Sequence, residues 1–278
     1  MRGVAVLGTC AAWPERGRAA SGFLLEYDGF RLVLDLGYAT FPRLLEHCSG
    51  AEVDAVAITH EHPDHCADLS ALCRERHYAG RPGARIPLYC TLGVVERVQA
   101  MEPSESLLDV FDINLLPGGY RVGPFRLDAP PLPHHVPHAG LRLTAPDLVV
   151  AYSGDAGPDE ALAALGADAD LFIVGATRQG GPAAGARGSA EHALGAGAAP
   201  AEAADIKAVH IEAADLEAAD PRLLSAAEAG RWATRAGARR LLLTHFWPGD
   251  NRETSLAQAR AEFAGEVLLA DEGLVVTL

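Results

Sequence analysis

No run of 18 or more apolar residues occurs in the 278-residue chain, which excludes a helix spanning a membrane. The start carries no charged segment leading into an apolar stretch. Arg2 runs directly into the strand-like Val4 to Gly8, and no signal peptide is expected. Cysteine is scarce: Cys10, Cys48, Cys66, Cys73 and Cys90 are odd in number and show neither CxxC pairing nor disulfide spacing. Reduced thiols in a cytoplasmic protein are the expectation. Basic charge is also short, with 23 Lys and Arg against 37 Asp and Glu, a formal net charge of -14, and no basic cluster longer than Arg239-Arg240. A protein that grips a long nucleic acid offers a basic face, because neutralising phosphates supplies most of the affinity. Tight nucleic-acid binding is therefore not expected, and the expected partner is a small molecule.

What the chain does have is 49% hydrophobic residues, enough for one large core. "GVAVLG", "SGFLLEY" and "FRLVLDLG" read as strands, with Asp28-Gly29 as a tight hairpin turn between the last two. "TFPRLLEHCSG" reads as a short helix ending at Gly50, and "VDAVAIT" as a buried strand. "HCADLSALCRERH" has helical spacing at Leu69, Leu72 and Cys73. "RIPLYC" is strand-like and "TLGVVERVQAM" helical, and from Asp109 to Tyr152 short apolar runs alternate with Pro and Gly, as in an antiparallel sheet. A helix near Asp159 to Leu165 and the strand "DLFIVG" follow. After them come the helix "SAAEAGRWATRAG", the strand "ARRLLLTH", a helix near Glu253 to Phe263 and the strands "EVLLA" and "GLVVTL". Each half holds a buried strand ending in Thr-His, at Thr59-His60 and Thr244-His245. Two sheets face to face with helices outside accommodate this order. Residues 180–220 are rich in Ala and Gly and poor in large apolar side chains, which marks an insertion within a single domain, 1–278.

The densest chemistry lies in "ITHEHPDHCADL", Ile58 to Leu69. At a strand end, His60 and His62 project to the same side, and Asp64 and His65 follow at the turn into a helix. Two neutral imidazoles with a third ligand make a zinc-type site, and a carboxylate with another imidazole can hold a second cation.

"THEHPDH" resembles the HxHxDH signature of the metallo-β-lactamase fold, and the resemblance runs over nearly the whole chain. The opening "VLGTCAAWPERGRAASGFLLEYDGFRLVLDLG" is similar to the first strands of the ribonuclease Z-like and cyclic phosphodiesterase-like branch. "AYSGDAG" resembles its YSGD motif, and "LLLTHFWPGDN" the strand that supplies its last histidine. The resemblance implies an α/β four-layer αββα sandwich holding two divalent cations, zinc first, with manganese or iron as alternatives. His60, His62 and a histidine near 134 would hold one cation; Asp64, His65 and His245 the other; Asp155 would bridge them. "PLPHHVPHAGL" offers His134, His135 and His138. In that branch the ligand precedes a loop glycine by six positions, so Gly140 selects His134, leaving His135 and His138 to line the pocket. His47 and His77, at helix ends, read as surface histidines.

The implied activity is that of a metal-dependent hydrolase. A pair of cations lowers the pKa of a bridging water to give hydroxide near neutral pH and polarises a phosphoryl or carbonyl oxygen. Asp64 would orient that hydroxide, and Thr59, Thr244 and Asp35 are candidates to orient the ligands. The first substrate reading is a small phosphodiester or nucleotide-like molecule. The alternatives are a lactone, thioester or amide, and a non-hydrolytic metal-binding or regulatory paralogue. Trp13, Phe246 and Trp247 are candidates for the pocket wall, the last two as substrate-binding residues. Dimers are common in the family, so a homodimer is an implied option.

The chain departs from ribonuclease Z-type enzymes at the residues that pass a proton to the leaving group. Gly175 stands at the glutamate position, Leu223 at the histidine position, and Ala156 where a threonine is usual. The insertion contributes His192 and His210, and His210 is a candidate replacement acid. The insertion itself is expected to close over the pocket.

Overall fold

The computed structural model describes residues 2–79, 85–102, 107–179 and 222–278. The first half begins with β1 (Arg2–Gly8), β2 (Gly22–Tyr27) and β3 (Phe30–Leu36), joined antiparallel. The hairpin turn lies where the sequence signals it: Asp28 and Gly29 both take positive φ, 50° and 91°, as the tight two-residue turn demands. Helix α1 (Thr40–Leu44) leads to β4 (Ala55–Ile58); α2 (Pro63–Cys66) and α3 (Leu69–Tyr78) lead to β5 (Ile86–Cys90); and α4 (Leu92–Met101) leads to β6 (Phe111–Leu115). The second half comprises β7 (Gly118–Val122), β8 (Phe125–Ala129), β9 (Leu141–Ala145), β10 (Leu148–Tyr152), α5 (Glu160–Leu165) and β11 (Leu171–Gly175). It closes with α6 (Ala226–Ala236), β12 (Arg240–Thr244), α7 (Arg252–Arg260) and β13 (Glu266–Leu269). The last strand, β14 (Val275–Thr277), returns to β1.

The strands form two seven-stranded sheets, ordered β14-β1-β2-β3-β4-β5-β6 and β13-β12-β11-β10-β9-β8-β7. Each mixes antiparallel hairpins with a parallel half, β3 to β6 in one sheet and β10 to β13 in the other. One apolar cluster, including Phe23, Leu34, Phe125 and Tyr152, fills the space between the sheets. A second lies between the first sheet and α1, α3 and α4, and a third between the second sheet and α5, α6 and α7. These three apolar layers are those of the αββα sandwich.

Two local expectations are corrected. The first helix stops at Leu44 instead of Gly50. The chain turns there so that Cys48 is buried, and Glu52 accepts hydrogen bonds from the Ser49 N–H and hydroxyl at 2.9 Å each, closing a 3-10 turn at Gly50–Glu52. The antiparallel run begins at β7, because β6 pairs parallel with β5 in the first sheet. Strand β6 follows α4 in a strand–helix–strand unit, whose crossover enforces parallel pairing. Among the described residues no helix is long and apolar enough to cross a membrane. All five cysteines are free and buried. The proposed lid, with His192 and His210, lies outside the described residues.

Candidate metal centre

The site is built at the carboxyl ends of parallel strands, where α/β sheets leave room for ligands. His60 and His62 follow β4. Pro63 then opens α2, its fixed φ suiting a first helical position, and Asp64 and His65 lie in that single turn. Asp155 follows β10, and His245 follows β12 with φ at 56°. Gly154, with φ at 55°, lets the Asp155 loop come close: a Cβ there would lie 2.4 Å from His138 Nε2 and 3.1 Å from the Thr59 side chain.

Two groups of four converge, His60, His62, His134 and Asp155 in one, Asp64, His65, Asp155 and His245 in the other. Within each group the potential ligand atoms lie within 4.8 Å of one another. In the first, His62 Nδ1 is 3.0 Å from His60 Nε2 and 3.1 Å from His134 Nε2. In the second, His65 Nε2 and His245 Nε2 are 3.2 Å apart, and His245 Nε2 is 3.2 Å from Asp64 Oδ2. Asp155 faces both groups: Oδ2 is 3.9 Å from His60 and from His134, while Oδ1 is 3.3 Å from His65 and 3.2 Å from His245.

The outward ring nitrogens of His60, His65 and His245 are occupied by hydrogen-bond partners. Asp35, itself at φ 54°, accepts from His65 Nδ1 at 2.7 Å, from the Thr59 N–H at 2.7 Å and from the Tyr152 hydroxyl at 2.8 Å. Thr59 Oγ1 gives its proton to Asp35 Oδ2 at 3.0 Å and is left to accept from His60 Nδ1, also at 3.0 Å. Thr177 Oγ1 pairs with His245 Nδ1 at 2.8 Å. With protons held on these Nδ1 atoms, the Nε2 lone pairs of His60, His65 and His245 point inward.

Charge follows from burial. Desolvation holds His60 well below the usual histidine range, depresses His62, and takes His134 to about 4 and His138 to about 3. These rings are neutral at pH 7, as metal ligation requires. Burial works against ionising Asp64 and Asp155, yet the imidazoles of His65 and His245 outweigh it and hold both carboxyls low. Burial likewise pulls His65 down, but the carboxylates of Asp155, Asp64 and Asp35 raise it well above its usual value. The three carboxylates thus favour positive charge at this point, which a cation on the His65 Nε2 lone pair would supply. Asp155 Oδ1 and His134 Nδ1 are buried without a hydrogen-bond partner, and the Nε2 atoms of His65 and His245 face each other at 3.2 Å. Residues and charges fit divalent cations in both groups, and the His/Asp donor set suits Zn, Mn or Fe.

A cavity of about 240 Å³ opens onto this cluster, lined by His62, His134, His135, Asp64, Asp155, Thr177, Leu223, His245 and Trp247. Two wall assignments are corrected. Phe246 is 1% exposed and packs into the apolar layer under the helices, so it does not reach the cavity. His138 is buried behind His60 and His134 and does not line the cavity, whereas His135 does. Thr244 does not orient a ligand: its Oγ1 is buried without a partner, and Thr177 takes that place on His245. Thr177, Tyr152 and the Ala12 N–H, which donates to Asp64 Oδ2 at 2.8 Å, carry no signal separable from ordinary strand and loop residues.

A family model described as the β-lactamase superfamily domain matches residues 34–246. Among relatives, the uncharacterised protein Rv1339 of Mycobacterium tuberculosis is 30% identical over 275 residues, covering 95% of this chain and 88% of that protein. A ribonuclease Z of Thermobifida fusca is 30% identical over 307 residues, covering 100% and 95%. The probable metallo-hydrolase YhfI of Bacillus subtilis is 25% identical over 289 residues, covering 98% of each. The crystal structure of that protein, described as a metallo-β-lactamase fold protein, superposes with a TM-score of 0.76 at 23% identity over 99% of both chains. The converging histidines and aspartates thus sit on a known scaffold: the chain belongs to the β-lactamase superfamily and has the metallo-β-lactamase fold, in the branch it shares with ribonuclease Z.

Proposed function

We propose that this metal-dependent hydrolase cleaves a small phosphodiester or nucleotide-like molecule with two divalent cations, zinc first among them. The observation that carries this reading is the pair of four-residue groups sharing Asp155, each with its ligand atoms within 4.8 Å, at the floor of one cavity. His60, His62, His134 and Asp155 would hold one cation, and Asp64, His65, His245 and Asp155 the other. Such a pair acidifies a water molecule and polarises the phosphoryl oxygen when bound. The chain's own contribution is placement. Asp35 and Thr59 fix the rings of His65 and His60, and Thr177 fixes His245. The Ala12 N–H pins Asp64, leaving that carboxylate to orient the attacking water.

Among the described residues, the leaving group lacks the glutamate and histidine of ribonuclease Z-type enzymes. Leu223 forms part of the cavity wall, and Gly175 brings no side chain. Among the described residues no carboxylate outside the two groups lines the cavity. General acid catalysis contributes about 10²- to 10⁴-fold where it operates. Rates should therefore depend steeply on leaving-group basicity. With the metal-reconstituted protein, p-nitrophenyl phosphodiesters should turn over at least about a hundredfold faster than alkyl analogues, on the same principle. The same assay run on lactones, thioesters and p-nitrophenyl carboxylate esters tests the substrate class. Turnover of carbonyl substrates with none of phosphodiesters would replace this reading by the carbonyl one, which the apolar Leu223 wall also favours.

Transfer RNA is not the proposed substrate, despite the similarity to ribonuclease Z. The net charge of -14 opposes a polyanion, and the leaving-group pair is absent at Gly175 and Leu223. Incubation with a precursor transfer RNA at physiological salt is expected to yield no 3′-end cleavage; efficient processing would overturn this part of the reading.

A further inference from the structure

We propose that Trp13 and Trp247 form a stacking subsite for the nucleobase of the substrate, an inference that rests on the nucleotide-like reading above. Trp247 lines the cavity, and Trp13 meets its ring edge-to-face, with centroids 4.8 Å apart and planes at 82°. Neither ring belongs to any of the three apolar layers, and Trp13 is 48% exposed. The third tryptophan, Trp232, is buried under the second sheet's helices, as a core tryptophan should be. Leaving so large an apolar ring half in water, against a second ring that lines the cavity, forgoes burial energy that the core would have supplied.

The pair is held in place by the same backbone that builds the site. Ala11 N donates to Phe246 O at 2.9 Å, and Phe246 N donates to Thr9 O at 2.9 Å. Gly249 N donates to Glu15 Oε1 at 2.7 Å. These bonds join the two loops on either side of the tryptophans. One loop is also tied to Asp64 through the Ala12 N–H, and the other continues directly from His245. The aromatic wall therefore keeps a constant position relative to the polar floor, and little ordering remains to be done when a ligand arrives. A nucleotide matches this division. Its phosphate would go to the floor, where His60, His62, Asp64, His65, His134, Asp155 and His245 would hold cations that offset the acidic charge of the chain. Its uncharged, planar base presents a π-face to indole, a contact that tolerates any base.

Binding separates this subsite from turnover. Metal-reconstituted wild type, Trp13→Ala, Trp247→Ala and Trp247→Phe would be titrated with adenosine 5′-monophosphate and with ribose 5-phosphate, by calorimetry and by tryptophan fluorescence. Wild type is expected to bind the nucleotide about tenfold or more tightly than the sugar phosphate, the scale of one stacked base, with quenched fluorescence. The preference should fall to about twofold or less in Trp247→Ala, fall partway in Trp13→Ala and persist in Trp247→Phe, with affinity for the sugar phosphate little changed in all three. Equal binding of the two ligands by wild type, or a full preference retained in both alanine variants, would overturn the subsite. A preference that follows the tryptophans in a protein hydrolysing no phosphodiester would support the subsite and refute the hydrolytic reading alone.

Discussion

Asp155→Ala is expected to lower phosphodiester turnover by about a thousandfold or more, since a carboxylate that bridged two cations, as proposed above, would on its loss remove several kcal/mol of transition-state stabilisation, at 1.36 kcal/mol per factor of ten. Its Oδ2 faces His60 and His134 and its Oδ1 faces His65 and His245, so one side chain serves both groups. Without it, each group keeps three candidate ligands and loses its common negative charge. Elemental analysis should accordingly drop from about two cations per chain to about one or fewer, the change expected when a bridging ligand goes. Circular dichroism should remain that of a folded protein, because Asp155 closes no backbone turn or helix cap. A variant retaining a tenth of wild-type turnover and its full metal content would remove Asp155 from the bridging role.

Asp35→Asn is expected to act at one remove. Asp35 is fully buried and collects His65 Nδ1, the Thr59 N–H and hydroxyl, and the Tyr152 hydroxyl. An amide is nearly isosteric, but its NH2 turns one of these into a donor facing a donor. A buried unsatisfied donor costs about 1–3 kcal/mol. The loss should appear in urea unfolding of chelator-treated protein, where cation binding makes no contribution. Cation affinity should fall about 10- to 100-fold, the usual effect of removing the partner of a metal-bound histidine. Tyr152→Phe deletes only one hydroxyl from the same carboxylate, and should cost about 1 kcal/mol with cation affinity nearly unchanged. If Asp35→Asn bound a competing chromophoric chelator's zinc as tightly as wild type, the histidine-orienting role would be wrong.

The strands and helices were largely legible in the chain. Buried strands are marked by short apolar runs, Leu171–Gly175 in β11 and Leu241 to Leu243 in β12, and α6 opens with Ser225 and closes at Gly237 with φ at 66°, signals that act over a few residues. Where prediction failed, the deciding force was not local. The α1 boundary depends on burying Cys48 against a distant layer, and the direction of β6 depends on the crossover through α4. Similarly, nothing near Phe246 says that it faces the helices while its neighbour Trp247 faces the cavity. Alternation along an extended backbone assigns them to opposite sides, and only the packed sheet says which side is which.

The candidate ligands divide in the same way. His60, His62, Asp64 and His65 lie within six positions, so one strand end and one helical turn bring them together, and the sequence by itself determined that a constellation of donors suited to cations was present. His134, Asp155 and His245 are brought to it from far along the chain by strands whose carboxyl ends meet between two sheets. Which of His134, Asp155, Thr177 and Tyr152 meets which partner was decided by tertiary structure. The contacts of Asp35 with Tyr152 and of Asp64 with Ala12 span 117 and 52 positions. Bonds over such separations follow from the register of strands and the twist of sheets, set by burial of the whole core and encoded in no short stretch of residues.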